Sequence, residues 1–208
     1  MKGDASLFAA IDLGSNAFRM MIGQSVKRDQ QLVIHEVKTL REPVRLAEGA
    51  QGGALDELAL DRGWQALARF GKKLRGFEAG RVRAVATSAV READNAQLFL
   101  ASAERHLGFR IDVISGHEEA RLVYAGVAHT VPGTEQMRLV VDIGGGSTEL
   151  ILGRGVQPLV TESIAIGSGT FGARYFPGGS VTAQRLLEAE RVATLVFEKV
   201  ARRYRALG

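Results

Sequence analysis

The stretch DIGGGSTEL (142–150) joins two apolar runs, residues 139–141 and 150–152. Three consecutive glycines are costly in backbone entropy. A hairpin with a left-handed glycine would not need all three. A bare glycine turn does suit anion binding, because no Cβ keeps a phosphate from the backbone N–H groups. Ser147 and Thr148 add hydroxyl donors. Asp142, at the strand end, would repel a phosphate but could hold a hard cation that bridges to it.

The same pattern occurs earlier. Laying AIDLGSNAFRMMIG (10–23) over VVDIGGGSTELILG (140–153) needs no gap. Asp12 meets Asp142, Gly14 meets Gly144 and Gly23 meets Gly153, a constant offset of 130 residues. The apolar positions coincide as well. We read this as a duplication in which each half presents an Asp–Gly hairpin. Ser15, Asn16, Gly144, Gly145, Gly146 and Ser147 are then the candidate phosphate-binding residues, with Asp142 and Asp12 the candidate metal ligands. Neither turn has the spacing of a P-loop or a dinucleotide fingerprint.

Two further segments carry candidates. In SGHEEA (115–120), Ser115 and Glu118 have capping-box spacing, which gives Glu118 a structural task. Glu119 lies about 100° further round the helix and is either a solvated acid, a favourable charge at the helix dipole, or a carboxylate that directs a water. His117 reads as local structure or a modest substrate contact. Arg91 follows VRAVATSAV (82–90), where a guanidinium at a strand's end could grip phosphate in a bidentate fork. Glu149 is either a second carboxylate orienting water or metal, or an exposed strand residue.

The elements that must position these groups follow from periodicity. Strands are expected at 7–12, 17–23 and 31–40 as an antiparallel meander. A helix follows with Leu58, Trp64, Leu67, Phe70 and Leu74 as its stripe. Then come a strand at 82–90, a helix at 94–107 capped by Asp94 or Asn95, a strand at 109–115 and a helix from Glu118. After residue 137 the pattern restarts with three apolar strands, a helix holding Phe171 and Tyr175, and a long helix at 182–207. Its expected apolar stripe is Leu186, Leu187, Val192, Leu195, Val196 and Val200. The class is α/β, with a mixed sheet and helices on its faces.

Composition narrows the setting. The chain has 208 residues, no cysteine and a formal charge of +4. Disulfides, thiolate metal sites and a cysteine nucleophile are excluded. No run is long and apolar enough for a membrane span, and the short N-terminal apolar run is no signal-peptide core, so a cytoplasmic protein is expected. The mild positive charge favours an anionic ligand without marking a DNA binder.

The hairpins resemble the two phosphate-binding hairpins of the actin, sugar-kinase and heat-shock-chaperone ATPase superfamily. Within it, AAIDLGSNAFR (9–19), TSAVR (87–91), SGHEEA and DIGGGSTEL are similar to the motifs of the exopolyphosphatase and guanosine pentaphosphate phosphohydrolase family. The likeness runs in order along essentially the whole chain, and YFPGG (175–179) adds to it. It implies a duplicated actin-like (ribonuclease H-like) fold with a mixed five-stranded sheet. The first domain would be 1–128 and the opening of the second 129–208, the second copy being truncated. It implies a Mg²⁺-assisted phosphoanhydride hydrolase that releases orthophosphate from polyphosphate or guanosine pentaphosphate. Glu119 would be the water-directing residue, Glu149 a second catalytic carboxylate and Arg91 a phosphate ligand. A homodimer is compatible with a longer form. A polyphosphate- or alarmone-binding fragment without turnover is the first alternative, and an ATP-dependent kinase or ATPase of the same superfamily is the second.

Overall fold

The computed structural model describes residues 7–28, 31–131 and 136–206. The chain forms two compact units, Met1–Ile114 and Ser115–Gly208. The first holds the mixed five-stranded sheet. Strands β1 (Leu7–Leu13), β2 (Phe18–Arg28) and β3 (Gln31–Glu42) form the antiparallel meander. β4 (Val82–Ala86) and β5 (Ile111–Val113) join parallel on the other side of β1, in the order β3-β2-β1-β4-β5. Parallel partners need long crossovers. These are supplied by α1 (Glu57–Lys73) before β4, and by α2 (Ser88–Arg91) and α3 (Ala96–Leu107) before β5. One face of the sheet, with Ile11, Leu13, Phe18, Met20, Ala84 and Ala86, packs into a single core with Leu67 and Phe70 of α1 and Phe99 of α3.

Three expectations need correction here. Residues 82–90 are not one strand. β4 ends at Ala86, and the Val90 and Arg91 amides bond back to Thr87 O to make a helical turn. The apolar run continued, but the hydrogen bonding changed. Leu58 is 71 % exposed. The buried stripe of α1 instead includes Leu60, Gly63, Leu67 and Phe70, where Gly63 lets the Phe99 ring come close. Asn95 stands at the N-cap of α3 but makes no capping bond. Its amide bridges Leu55 N and Leu55 O, at 2.9 and 2.8 Å, tying the loop before α1 to α3.

The second unit begins with α4 (Gly116–Thr130) and continues through β6 (Met137–Ile143), β7 (Thr148–Arg154), β8 (Gln157–Ile164), α5 (Ser168–Tyr175) and α6 (Ala183–Arg205). The sheet is antiparallel, ordered β6-β7-β8. Grouping α4 with this sheet differs from the 128/129 division, which counted it with the first domain. The helix lies on the sheet through Ala120 and Tyr124, which pack with Val140 and Ile151.

The duplication holds at the level of pairing. Leu7↔Gln24 through Leu13↔Phe18 becomes Met137↔Arg154 through Ile143↔Thr148, every partner shifted by the same 130 residues. Both hairpins even slip register toward the third strand at the same place, Ile22/Gly23 and Leu152/Gly153. Each slip glycine makes room for an aromatic ring. A Cβ on Gly23 would lie 2.7 Å from Phe8 Cζ, and one on Gly153 would run into Tyr124. The covered face differs between the copies. Ala9, Ile11 and Leu13 are buried, whereas their counterparts Leu139, Val141 and Ile143 are 55, 49 and 70 % exposed.

In α6, Ala189 is buried and Val192, Val196 and Val200 are half-buried, at helical spacing. Leu186, Leu187 and Leu195 lie off that line and are exposed. The helix tail is pinned by Tyr204, whose hydroxyl donates to Leu150 O at 2.7 Å, and by the Arg203–Glu162 ion pair. Burial, then the nearby Glu162 charge, push the Tyr204 phenol up to about 12, with Arg203 opposing.

Two outcomes are expected. Gly153→Ala should destabilise the chain by about 1–3 kcal/mol through overpacking against Tyr124. Gly126→Ala, in α4 with open space around it, should stabilise by about 0.5–1 kcal/mol. Urea unfolding checks both. Tyr204's raised value means the native state holds that proton longer. Its contribution is therefore complete below the phenol's ordinary value of 10.0 and is lost as pH rises toward about 12. Ultraviolet titration of wild type against Tyr204→Phe should show one phenol missing from the highest-pH step.

Candidate functional site

The turn between β6 and β7 closes with Gly144 N–H donating to Ser147 O at 2.9 Å. Its carbonyls face one neighbour. Gly144 O accepts from the Ser168 amide (2.9 Å) and hydroxyl (3.1 Å). Gly145 O accepts from the amides of Gly169 (2.8 Å) and Thr170 (3.1 Å). These donors open α5, where helical amides lack intrahelical acceptors. A longer bond, 3.4 Å, runs from Thr170 Oγ1 to Gly146 O. No described peptide bond is cis, and in a trans peptide the N–H points opposite to the C=O. With these carbonyls aimed at α5, the amides of Gly145, Gly146 and Ser147 point away from it. Gly167 makes the approach possible, since a Cβ there would collide with the Gly145–Gly146 backbone.

The first hairpin is backed in the same way by the segment after β3. Ser15 O accepts from Ala47 N (3.0 Å) and Asn16 O from Arg45 N (2.8 Å). The amides of Asn16 and Ala17 therefore face away from that segment. Arg45 sits at φ 54°, left-handed and unusual for a residue with a Cβ. Arg62 of α1 holds the segment, donating to Val44 O (2.8 Å) and Arg45 O (3.3 Å).

The side chains of the candidates divide into exposed and buried groups. Asp12, Asn16 and Asp142 are exposed, while Ser15 and Ser147 are buried. The Ser15 hydroxyl lies 2.9 Å from Ser88 Oγ and accepts from the Ala89 amide at 3.2 Å. It ties the hairpin to α2, which ends in Arg91. Arg91 is thus on a helical turn, 20 % exposed, and is braced by donating Nη1 to Ile114 O (3.0 Å) and Nε to Glu92 (3.1 Å).

Two candidate carboxylates of the second unit are neighbours on the sheet. Asp142, Glu149 and Ser163 are register partners across β6, β7 and β8, so they share a sheet face. Val140, Ile151 and Thr161 form the neighbouring row on the same face, the face that carries α4. Glu149 is 1 % exposed and accepts from Ser163 Oγ at 2.8 Å. The first turn of α4 reaches this region, with His117 Nδ1 3.1 Å from Thr161 Oγ1. Ser115 caps α4, accepting from the Glu118 amide at 3.2 Å. The Glu118 carboxylate forms a fork with Arg121, both bonds 2.8 Å, and raises the Arg121 pKa mainly through hydrogen bonding. Glu119, half-buried, is the other acid of that turn.

Among the described residues, no three His, Cys, Asp or Glu side chains are clustered to hold a metal. Mg²⁺ often binds through one or two carboxylates and completes its shell with water and phosphate oxygens. An exposed Asp142, opposite the buried Glu149 on the ladder, fits that sparse donor set. No helix of the described residues is long and apolar enough to cross a membrane.

The model of the Ppx/GppA phosphatase family matches residues 25–208. The chain belongs to that family. An exopolyphosphatase from Cytophaga hutchinsonii is 31 % identical with a TM-score of 0.75, over 82 % of this chain and 54 % of that one. The Ppx/GppA enzyme of Aquifex aeolicus is 31 % identical (TM-score 0.71) over 93 % of this chain and 64 % of that one. An exopolyphosphatase-like protein is 30 % identical (TM-score 0.82) over 95 % and 62 %. The chain therefore spans between half and two thirds of the length of these Ppx/GppA relatives. The expected actin-like α/β architecture is shown.

Sequence reasoning missed the residues that back the turns, Gly167–Thr170 and Arg45–Ala47, and the β8 hydroxyls. The small-residue run IGSGT (166–170) was the available signal. The Ser15→Ala variant removes the acceptor of the buried Ala89 amide. It should cost about 1–3 kcal/mol, whereas Asn16→Ala, at an exposed position, should change stability by less than about 0.5 kcal/mol. Denaturant midpoints of the two variants test this.

Proposed function

We propose that the chain carries the phosphoryl-binding and water-directing groups of a phosphoanhydride hydrolase acting on polyphosphate, with guanosine pentaphosphate as the other candidate substrate. The supporting observation is the paired turns, one per unit, each with its carbonyls bonded behind it and its amides turned outward. In the second unit the amides of Gly145, Gly146 and Ser147 are placed to neutralise and orient phosphoryl oxygens, and in the first those of Asn16 and Ala17 with the Arg91 guanidinium. Asp142, and Asp12 in the other unit, would hold Mg²⁺, which when bound draws charge from those oxygens.

Glu119 accepts a proton from a water as its oxygen bonds to the terminal phosphorus. The phosphoanhydride P–O bond breaks, orthophosphate leaves, and the shortened chain takes the electron pair on its terminal oxygen. Glu149, buried beside Asp142, orients the same water or the cation's shell. Catalysis of this kind is positioning and charge neutralisation more than covalent chemistry. The likeness to the Cytophaga hutchinsonii exopolyphosphatase supports polyphosphate as the substrate class.

The test is the initial rate of orthophosphate release from polyphosphate and from guanosine pentaphosphate, wild type against Glu119→Ala and Glu119→Gln. Removing a positioned general base is expected to lower kcat about 10²–10⁴-fold with little change in KM. Rates unchanged by both substitutions would remove Glu119 from the chemistry. Tight binding without turnover in the wild type would leave a polyanion-binding module. Tight ATP binding with transfer to an acceptor would indicate a kinase.

A further inference from the structure

Thr161 and Ser163 stand two residues apart on β8 and so present their hydroxyls to one sheet face. Each hydroxyl meets a segment that carries one of the two catalytic candidates. Ser163 Oγ donates to Glu149 Oε1 at 2.8 Å, and Thr161 Oγ1 lies 3.1 Å from His117 Nδ1, two residues before Glu119. We propose that β8 is the positioning strand of the site, Ser163 orienting the Glu149 carboxylate and Thr161, through His117, setting the rotation of α4 that aims Glu119. This rests on the hydrolase reading above.

The physical need for such a strand is specific. The last torsion of a glutamate is broad, so rotamer preference alone does not set the carboxylate plane. Glu149 is almost wholly buried, and a buried carboxylate requires donors. A hydroxyl fixed by its own strand meets both requirements. On α4, the apolar contacts of Ala120 and Tyr124 with Val140 and Ile151 hold the helix to the sheet. Tyr124 adds one directional bond near the middle of the helix, its hydroxyl donating to Gly155 O at 3.1 Å, which leaves the first turn to be fixed separately. The His117–Thr161 contact lies one turn before Ala120 on the same side of the helix, and it adds a directional contact to the turn that carries Glu119 about 200° further round. His117 is thereby a tether, and needs no proton-transfer role.

The experiment uses the full chain with Ser163→Ala, Ser163→Thr, Thr161→Val and Thr161→Ser. Polyphosphate kinetics are read beside the side-chain ¹³C carboxyl resonance of Glu149, identified by its loss in Glu149→Gln, in protein holding neither substrate nor metal. Ser163→Ala is expected to shift that resonance and to lower kcat about 10-fold or more, with KM within about twofold. Ser163→Thr, which keeps the hydroxyl, should restore both. Thr161→Val should lower kcat several-fold without moving the Glu149 resonance, and Thr161→Ser should restore it. An unshifted resonance or an unchanged kcat in Ser163→Ala overturns the assignment, as does a Ser163→Thr variant as impaired as Ser163→Ala. A wild type that releases no phosphate sinks the hydrolase reading alone, since the resonance still decides whether Ser163 orients Glu149.

Discussion

Two short turns give their carbonyls to the segments behind them, and the rest of the candidate site depends on that arrangement. Gly144 and Gly145 accept from the opening amides of α5, and Ser15 and Asn16 from Ala47 and Arg45. Peptide planarity does the rest, turning the following amides outward. The donors are set before any anion arrives, so binding requires no reordering of the turn, and preorganised donors are worth most in catalysis. The two backings differ in their requirements. In the second unit Gly167 allows backbone to lie on backbone. In the first, Arg45 takes a left-handed conformation, held by Arg62.

Duplication supplied the two turns, and divergence gave them different surroundings. Pairing register and slip position are shared between the copies, whereas the ring under the slip glycine comes from β1 in the first copy and from α4 in the second. The residue opposite the strand-end aspartate is not. Arg19 faces Asp12 and is exposed, whereas Glu149 faces Asp142 and is buried under Ser163. Two carboxyl groups on one rung of the ladder offer oxygen donors that suit a hard cation. The water-directing carboxylates proposed here therefore belong to the second copy.

How much of this was legible from sequence depended on the range of the interaction. The strands of the meander, the hairpins and their register were readable because alternation and the glycine repeat are local signals. So was Ser115 as a cap. The strand drawn through 82–90 was wrong at its end because Ala89 and Val90 are apolar enough for either state, and the decision came from Thr87 O and the Ser15 hydroxyl, 73 residues away from Ser88. The stripe of α6 was too wide because exposure of Leu186, Leu187 and Leu195 depends on what packs there. Asn95 looked like a cap and became a bridge to Leu55. The backing of the turns by Ser168–Thr170 and Arg45–Ala47 was invisible because backbone hydrogen bonds leave almost no mark on side-chain identity.

The most direct test of the outward-facing amides is a ¹H–¹⁵N titration of the chain with inorganic tripolyphosphate. Resonances of Gly145, Gly146 and Ser147 should shift most, with those of Asn16 and Ala17, while those of Ser168–Thr170, already bonded to the turn, move little. Shifts confined to the basic tail of α6, with both turns unmoved, would contradict the account.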